Sequence, residues 1–118
     1  MSIEELKART FRFGVDSARI VEGLPNLTTV RSLGNQLLRS ATSVGANYRA
    51  VCRARSRADF ISKLKIVEEE CDETLYWLDL LTTGGWLKSA AVANLTKEGN
   101  EILAIVVASI KTARSSTS

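Results

Sequence analysis

Arg39, Glu69 and Glu73, with Gln36 and Asn47 beside them, are the side chains whose types and spacing could do chemistry. They lie in two segments, 36–47 (QLLRSATSVGAN) and 56–81 (SRADFISKLKIVEEECDETLYWLDLL). At helical spacing, Gln36, Arg39 and Asn47 share a face with Leu33, Leu37, Val44 and Tyr48. Polar groups on a core-facing stripe are costly unless partnered, so these residues form either a structural network or a site. Two carboxylates and a guanidinium could handle a proton or help hold a metal. Di-iron sites in helix bundles, however, use Glu-x-x-His pairs, and this chain contains no histidine. The missing imidazole also removes Ser–His and Cys–His nucleophiles. No glycine-rich phosphate loop is present. The expectation is a protein without catalytic residues, cofactor or metal, in which Gln36, Arg39, Asn47, Glu69 and Glu73 form a structural network. A helical hairpin turning about residue 56 sets Arg39 level with Glu73 and Asn47 near residues 65–69. Arg39 and Glu73 are expected to form a largely buried ion pair, with Gln36 or Tyr76 assisting. The loss of one partner from such a pair is strongly destabilising.

A second group is cationic. From Gly23 to Ala58 there are six arginines and no acid, whereas from Ile66 to Leu87 there are six acids and no base. This segregation says more than the net charge of +3. Arg49, Arg53, Arg55 and Arg57 cluster at the expected end of the second helix and the turn after it. If the helix persists, Arg49, Arg53 and Arg57 share a face. They are either a solvated bundle end suited to a helix C-terminus or a phosphate-binding patch. Repeated around an oligomer, such a patch would bind RNA or DNA with steep salt dependence. No aromatic stacking platform accompanies the arginines, which argues against sequence-specific reading of a single strand. The acids of the third helix could instead neutralise the patch across subunits.

Cys52 and Cys71 fall in helical patterns among apolar neighbours and read as a pair of buried free thiols in a reducing compartment. They form no CxxC, and without histidine a zinc site lacks ligands. The N-terminal MSIEELKART has no apolar core of a signal peptide. The longest apolar run, 102–108, falls well short of the ~20 residues of a membrane span. A cytoplasmic protein with no membrane association is expected.

The positioning elements follow from periodicity. With 118 residues, 45% of them hydrophobic, 25% charged and a single proline, the chain suits one domain. No strand-length alternation of apolar and polar residues occurs. Four helices are predicted, at about 2–23, 29–55, 57–83 and 90–113. Ser2 and Glu5 fit a capping box, and Pro25 ends the first helix. Thr28 or Thr29 would cap the second, Ser56 the third, and Gly84-Gly85 would stop the third. The polar tail from Arg114 is expected to fray. Short connections favour an all-α, antiparallel up-down-up-down four-helix bundle as a single domain over 1–118.

The fourth helix is apolar nearly all round between Ile102 and Ile110, although a bundle helix buries about three positions in seven. Trp77, Leu103, Ile105 and Val107 therefore read as an oligomer interface.

The run QLLRSATSVGAN, the segment SRADFISKLKIVEEECDETLYWLDLL and the spacing between them resemble the four-helix-bundle proteins encoded in intervening sequences of bacterial 23S rRNA genes. The likeness covers roughly residues 11 to 87. It implies a four-helix bundle, and ring-like homopentamers are found among such proteins. One relative, the accessory protein of diversity-generating retroelements, is a basic pentamer that works with a reverse transcriptase and RNA. One departure stands out. Where the family commonly reads A-N-I-x-E-A, this chain has Ala46-Asn47-Tyr48-Arg49-Ala50-Val51, with alanine in place of the acid at 50. The resemblance and the residues together predict a homo-oligomeric scaffold or adaptor, with RNA or DNA binding as the alternative.

Overall fold

The computed structural model describes residues 1–115, and these form four α-helices and no strand. They are α1 (Ile3–Glu22), α2 (Thr28–Val51), α3 (Arg57–Thr83) and α4 (Ser89–Ser115). Each connection spans five residues: 23–27, 52–56 and 84–88. Loops that short force consecutive helices antiparallel. Each helix packs on its sequence neighbours, and α1 closes the bundle against α4 through a less extensive seam. The result is a rod of 53 × 22 × 20 Å.

The helix ends follow local chemistry. Ser2 Oγ accepts from the Glu5 N–H at 3.0 Å, and the Ser2 N–H donates back to Glu5 Oε1 at 3.3 Å. That is the capping box expected from the sequence. Gly23 caps the C-terminus of α1, ahead of Pro25. The start of α2 departs from expectation. Leu27, not a threonine, is the N-cap, and no side chain caps it. The Leu27 N–H bonds to the Pro25 carbonyl, and its own carbonyl receives the Arg31 N–H. The proline turn thus starts the helix ladder one residue before Thr28 could cap it.

The end of α2 also differs, because the helix stops at Val51 rather than near 55. The N–H groups of Arg53 and Ala54 bond three residues back, to Ala50 and Val51, which tightens and closes the last turn. Beyond it, Asp59 Oδ2 takes the Arg55 N–H at 3.0 Å, and Ser56 Oγ takes the Asp59 N–H at 3.1 Å. The cap of α3 therefore pulls the chain out of α2. At the other end of α3, Gly85 has φ 84°. The Trp86 N–H reaches the Leu81 carbonyl and the Gly85 N–H the Thr82 carbonyl, a Schellman closure that favours glycine at its left-handed position. The last helix runs to Ser115, so Arg114 is helical rather than frayed. The rest of the expected tail, 116–118, lies outside the described residues.

The core lies along one apolar stripe of each helix. Leu37, Ala41 and Val44 of α2, Leu64, Val67, Cys71, Leu78 and Leu81 of α3, and Ile102 and Val106 of α4 are buried, with Phe13 of α1. One polar seam crosses this core. Ser40 and Thr74 are fully buried, and their hydroxyls hydrogen-bond at 3.0 Å. The single Thr74 hydroxyl proton is shared between Ser40 Oγ and the Glu70 carbonyl at 2.8 Å, and Ser40 donates its own to the Leu37 carbonyl at 3.2 Å. The helical backbone thereby satisfies both hydroxyls, and the pair joins α2 to α3 at negligible desolvation cost.

Cys71 is buried and donates its thiol to the Gly99 carbonyl at 3.3 Å. Cys52 is exposed, contrary to the expectation of two buried thiols. It sits just past the early end of α2, where the chain has already left the core.

Candidate functional site

Arg39 projects from α2 toward α3 and binds Glu73, with Glu70 also in reach at 3.2 Å. Trp77 donates its indole N–H to Glu73 at 3.2 Å. The structure thus brings Arg39 and Glu73 together, but not in the core: their side chains are 50% and 36% exposed. Arg39 lies about 200° around the helix from Leu37, at 3.6 residues per turn, and so near the solvent side. The largely buried ion pair of the sequence reading is therefore corrected to a half-exposed surface bridge, the kind that contributes little to stability. The guanidinium is held above its ordinary pKa first by the Glu73 hydrogen bond and then by the field of Glu70.

The other members of the expected network do not join it. Gln36 and Glu69 are exposed. Asn47 is half-buried and donates to the Ser43 carbonyl at 2.8 Å within its own helix. The third partner of Arg39–Glu73 is Trp77, not Gln36 or Tyr76. A different cross-helix bridge escaped the sequence reading. Arg9 of α1 makes a two-point contact with Glu98 of α4, at 2.8 Å through Nε and 2.5 Å through Nη2, and reaches Glu101 at 3.1 Å. This contact lowers the Glu98 carboxyl below its ordinary range and raises the arginine. It straps the seam where α1 and α4 pack least. The signal available in the sequence was a lone arginine among the apolar positions of α1, with acids three apart on α4.

The arginine cluster forms a real concavity. Arg49 near the end of α2, Arg53 and Arg55 in the turn, and Lys63 of α3 line an open cleft of about 630 Å³, with Asp59 and the small side chains Ala46, Ala50 and Ser56. Lys63 lies 2.6 Å from both oxygens of Asp59. That ammonium first, and then the Arg55 N–H, hold Asp59 below the usual carboxylate range. The acid is thus already engaged by Lys63 and the turn. Among the described residues, the guanidinium groups of Arg49 and Arg53 have neither an acid nor a hydrogen-bond partner. The single helical face expected for Arg49, Arg53 and Arg57 does not exist. The turn intervenes, and Arg57 opens α3 outside the lining of the cleft.

Arg49 also ends a second surface, an apolar groove of about 400 Å³ between α1 and α2. Its walls are Phe11, Val15 and Ala18 of α1 and Thr42 and Ala46 of α2, over a floor that includes Gly14 and Gly45. The helices are so close that a Cβ on Gly45 would stand 3.0 Å from the Thr10 carbonyl oxygen. Phe11 stands in solvent at the groove's edge. The residues expected at an oligomer interface are all partly exposed. Trp77, Leu103 and Ile105 are half-buried and packed against the core, and Val107 is half-buried. The bundle absorbs much of the apolar excess of α4, and the largest exposed apolar side chains lie on α1 and α3.

Among the described residues, no three acids or thiols converge as a metal site, and no helix is long and apolar enough to cross a membrane. Fold and surface together define an all-α four-helix bundle with a basic cleft at one end and charge segregated along its length. The model of the 23S rRNA-intervening sequence protein family matches residues 5–108, and the chain belongs to that family. Among solved structures it is similar to a protein of unknown function from the S23 ribosomal protein family of Bacteroides thetaiotaomicron, with 34% identity and a TM-score of 0.86. That match covers 94% of this chain and 99% of the other. No curated protein matches it.

Proposed function

We propose that this protein is a non-enzymatic scaffold or adaptor that works as a homo-oligomer in a reducing, cytoplasmic compartment. The observation that carries this reading is the set of large apolar side chains on the outside of the bundle. Phe11 is 72% exposed at the edge of the α1–α2 groove, and Tyr76 (57%) and Ile66 (43%) are exposed on α3. Large apolar side chains left in solvent beside a groove and along a helix mark protein–protein contact. The polar clusters support the reading in another way, because Arg39 and Arg9 are each engaged in ion pairs that tie helices together. The free thiols of Cys52 and Cys71 fit a reducing compartment. The family resemblance supplies the pentamer as the stoichiometry to test. Light scattering after size exclusion at micromolar concentration should give a mass several times the 12.9 kDa of one chain. A clean monomer overturns the reading.

The basic cleft favours a second reading, RNA or DNA binding. Arg49 and Arg53 are exposed, unpaired with acids and close enough to line one concavity. Binding should fall steeply as salt rises, since each phosphate contact releases counterions. Arg49→Glu with Arg53→Glu should abolish a gel shift with generic RNA. Unchanged binding by that double variant removes the cleft from consideration.

A further inference from the structure

The solvent side of α3 carries a stripe at helical spacing: Ile66, Glu69, Asp72, Tyr76 and Asp79, all exposed. It alternates two large apolar side chains with three acids. Glu69 and Asp72 have no ion-pair partner among the described residues. On another part of the bundle, the α1–α2 groove has the reverse character: Phe11, Val15 and Ala18 form an apolar wall, and Arg49 stands at its end with Arg53 beyond. We propose that these two surfaces bind each other between copies, the α3 stripe of one protomer lying in the α1–α2 groove of the next. This inference rests on the homo-oligomer reading and names the surfaces that make it.

Charge complementarity selects a second copy as the occupant. The stripe lies within a segment of six acids and no base, 66–87, and the groove ends in arginines from a segment with six arginines and no acid, 23–58. Among the described residues Arg49 meets no acid and Glu69 and Asp72 meet no base, so the contact satisfies both sides at once. The lengths agree as well. Ile66 to Tyr76 spans ten residues, or about 15 Å at 1.5 Å per residue. In the groove, Phe11 lies beside Gly45, whose added Cβ would sit 3.3 Å from the Phe11 Cα. From that level Ala18 is about 10 Å away along α1 and Arg49 about 6 Å away along α2 in the opposite direction, which gives about 16 Å. The shallow floor at Gly14 and Gly45 lets a helix approach closely.

The two surfaces are different, and α1 and α3 lie diagonally across the bundle rather than as neighbours within a chain. The proposed contact is therefore heterologous, with each copy using its stripe on one neighbour and its groove on the other. Such contacts close into rings when the rotation between copies fits.

The test is light scattering of the full chain at several concentrations, with circular dichroism to confirm folding. Phe11→Ser should weaken assembly by about 30-fold, as expected for a central aromatic anchor. Arg49→Glu should weaken it independently through an exposed residue that the core does not need. Glu69→Arg with Asp72→Arg should do the same, and combining these with Arg49→Glu in one chain should restore assembly. If wild type is oligomeric and both Phe11→Ser and Arg49→Glu remain so, the interface lies elsewhere and the scaffold reading stands. If wild type is monomeric, both the scaffold reading and this interface fall, and the groove is open to some other ligand.

Discussion

Cys71 and Cys52 are the same residue in opposite settings. Burial pushes the Cys71 thiol up to about 12 from an ordinary 9.0, and its proton is held toward the Gly99 carbonyl. Cys52 stands in solvent at the end of α2. Thiol reagents attack the thiolate, so at pH 8 the native protein should label at one position, Cys52. In denaturant both thiols should label. Two rapidly reacting thiols in the folded protein would contradict the placement of Cys71. The direction of linkage is also fixed. The unfolded chain gives up this proton near 9 and the folded chain near 12, so Cys71 withdraws stability as pH rises through that window. Legibility in the sequence was uneven at this scale. The level of Arg39 and Glu73 followed from where the hairpin turns, which a sequence shows. Their exposure was also in the spacing, since Arg39 lies two residues and so about 200° round the helix from Leu37, but the expected core face was drawn too broad and took it in. The exposure of Phe11 was not legible in the sequence, because α1 has apolar residues on more than one face and the close approach of Gly45 decides which of them is covered.

Between elements, the α1–α4 seam is held differently from the other three. The helices there pack less extensively, and Arg9 with Glu98 and Glu101 bridges them. The Arg9 hydrogen bond lowers the Glu98 carboxyl from its ordinary 4.5. Glu98 therefore ionises more readily in the folded chain than in the unfolded one. Its contribution is fully present above about pH 4.5 and is lost as pH falls through the lower folded value. Thermal melts taken downward from pH 6 should show stability declining in that acid window. Glu98→Gln should start less stable and decline less steeply. A variant with the same acid slope as wild type would show that the bridge is not what titrates. The helices themselves were readable because apolar stripes and caps at Ser2, Ser56 and Gly85 act over a few residues. The early end of α2 was not, because it depends on Asp59 reaching back to the Arg55 N–H from the next helix. That single contact divides the arginine run between helix, turn and helix, and turns an expected helical face into a cleft.

For the whole molecule, the segregation of charge becomes geometry. A net charge of +3 conceals a basic end around Arg49 and Arg53 and an acidic side along α3. A protomer with two unlike complementary surfaces assembles head to tail, and that mode makes a prediction no symmetric interface makes. Phe11→Ser disables the groove and leaves the α3 stripe intact, whereas Tyr76→Ser with Ile66→Ser disables the stripe and leaves the groove intact. Each variant alone lacks one half of every contact and should be monomeric. An equimolar mixture still contains one good stripe and one good groove per pair. It should form a one-to-one species of about twice 12.9 kDa and go no further, because the remaining surfaces of that pair are the disabled ones. Light scattering of the mixture against each variant alone measures this directly. Under a two-fold interface, in which each patch meets its own copy, two variants damaged on the same contact would gain nothing from mixing. A mixture that stays monomeric, or one that rebuilds the full wild-type mass, is incompatible with stripe-in-groove assembly.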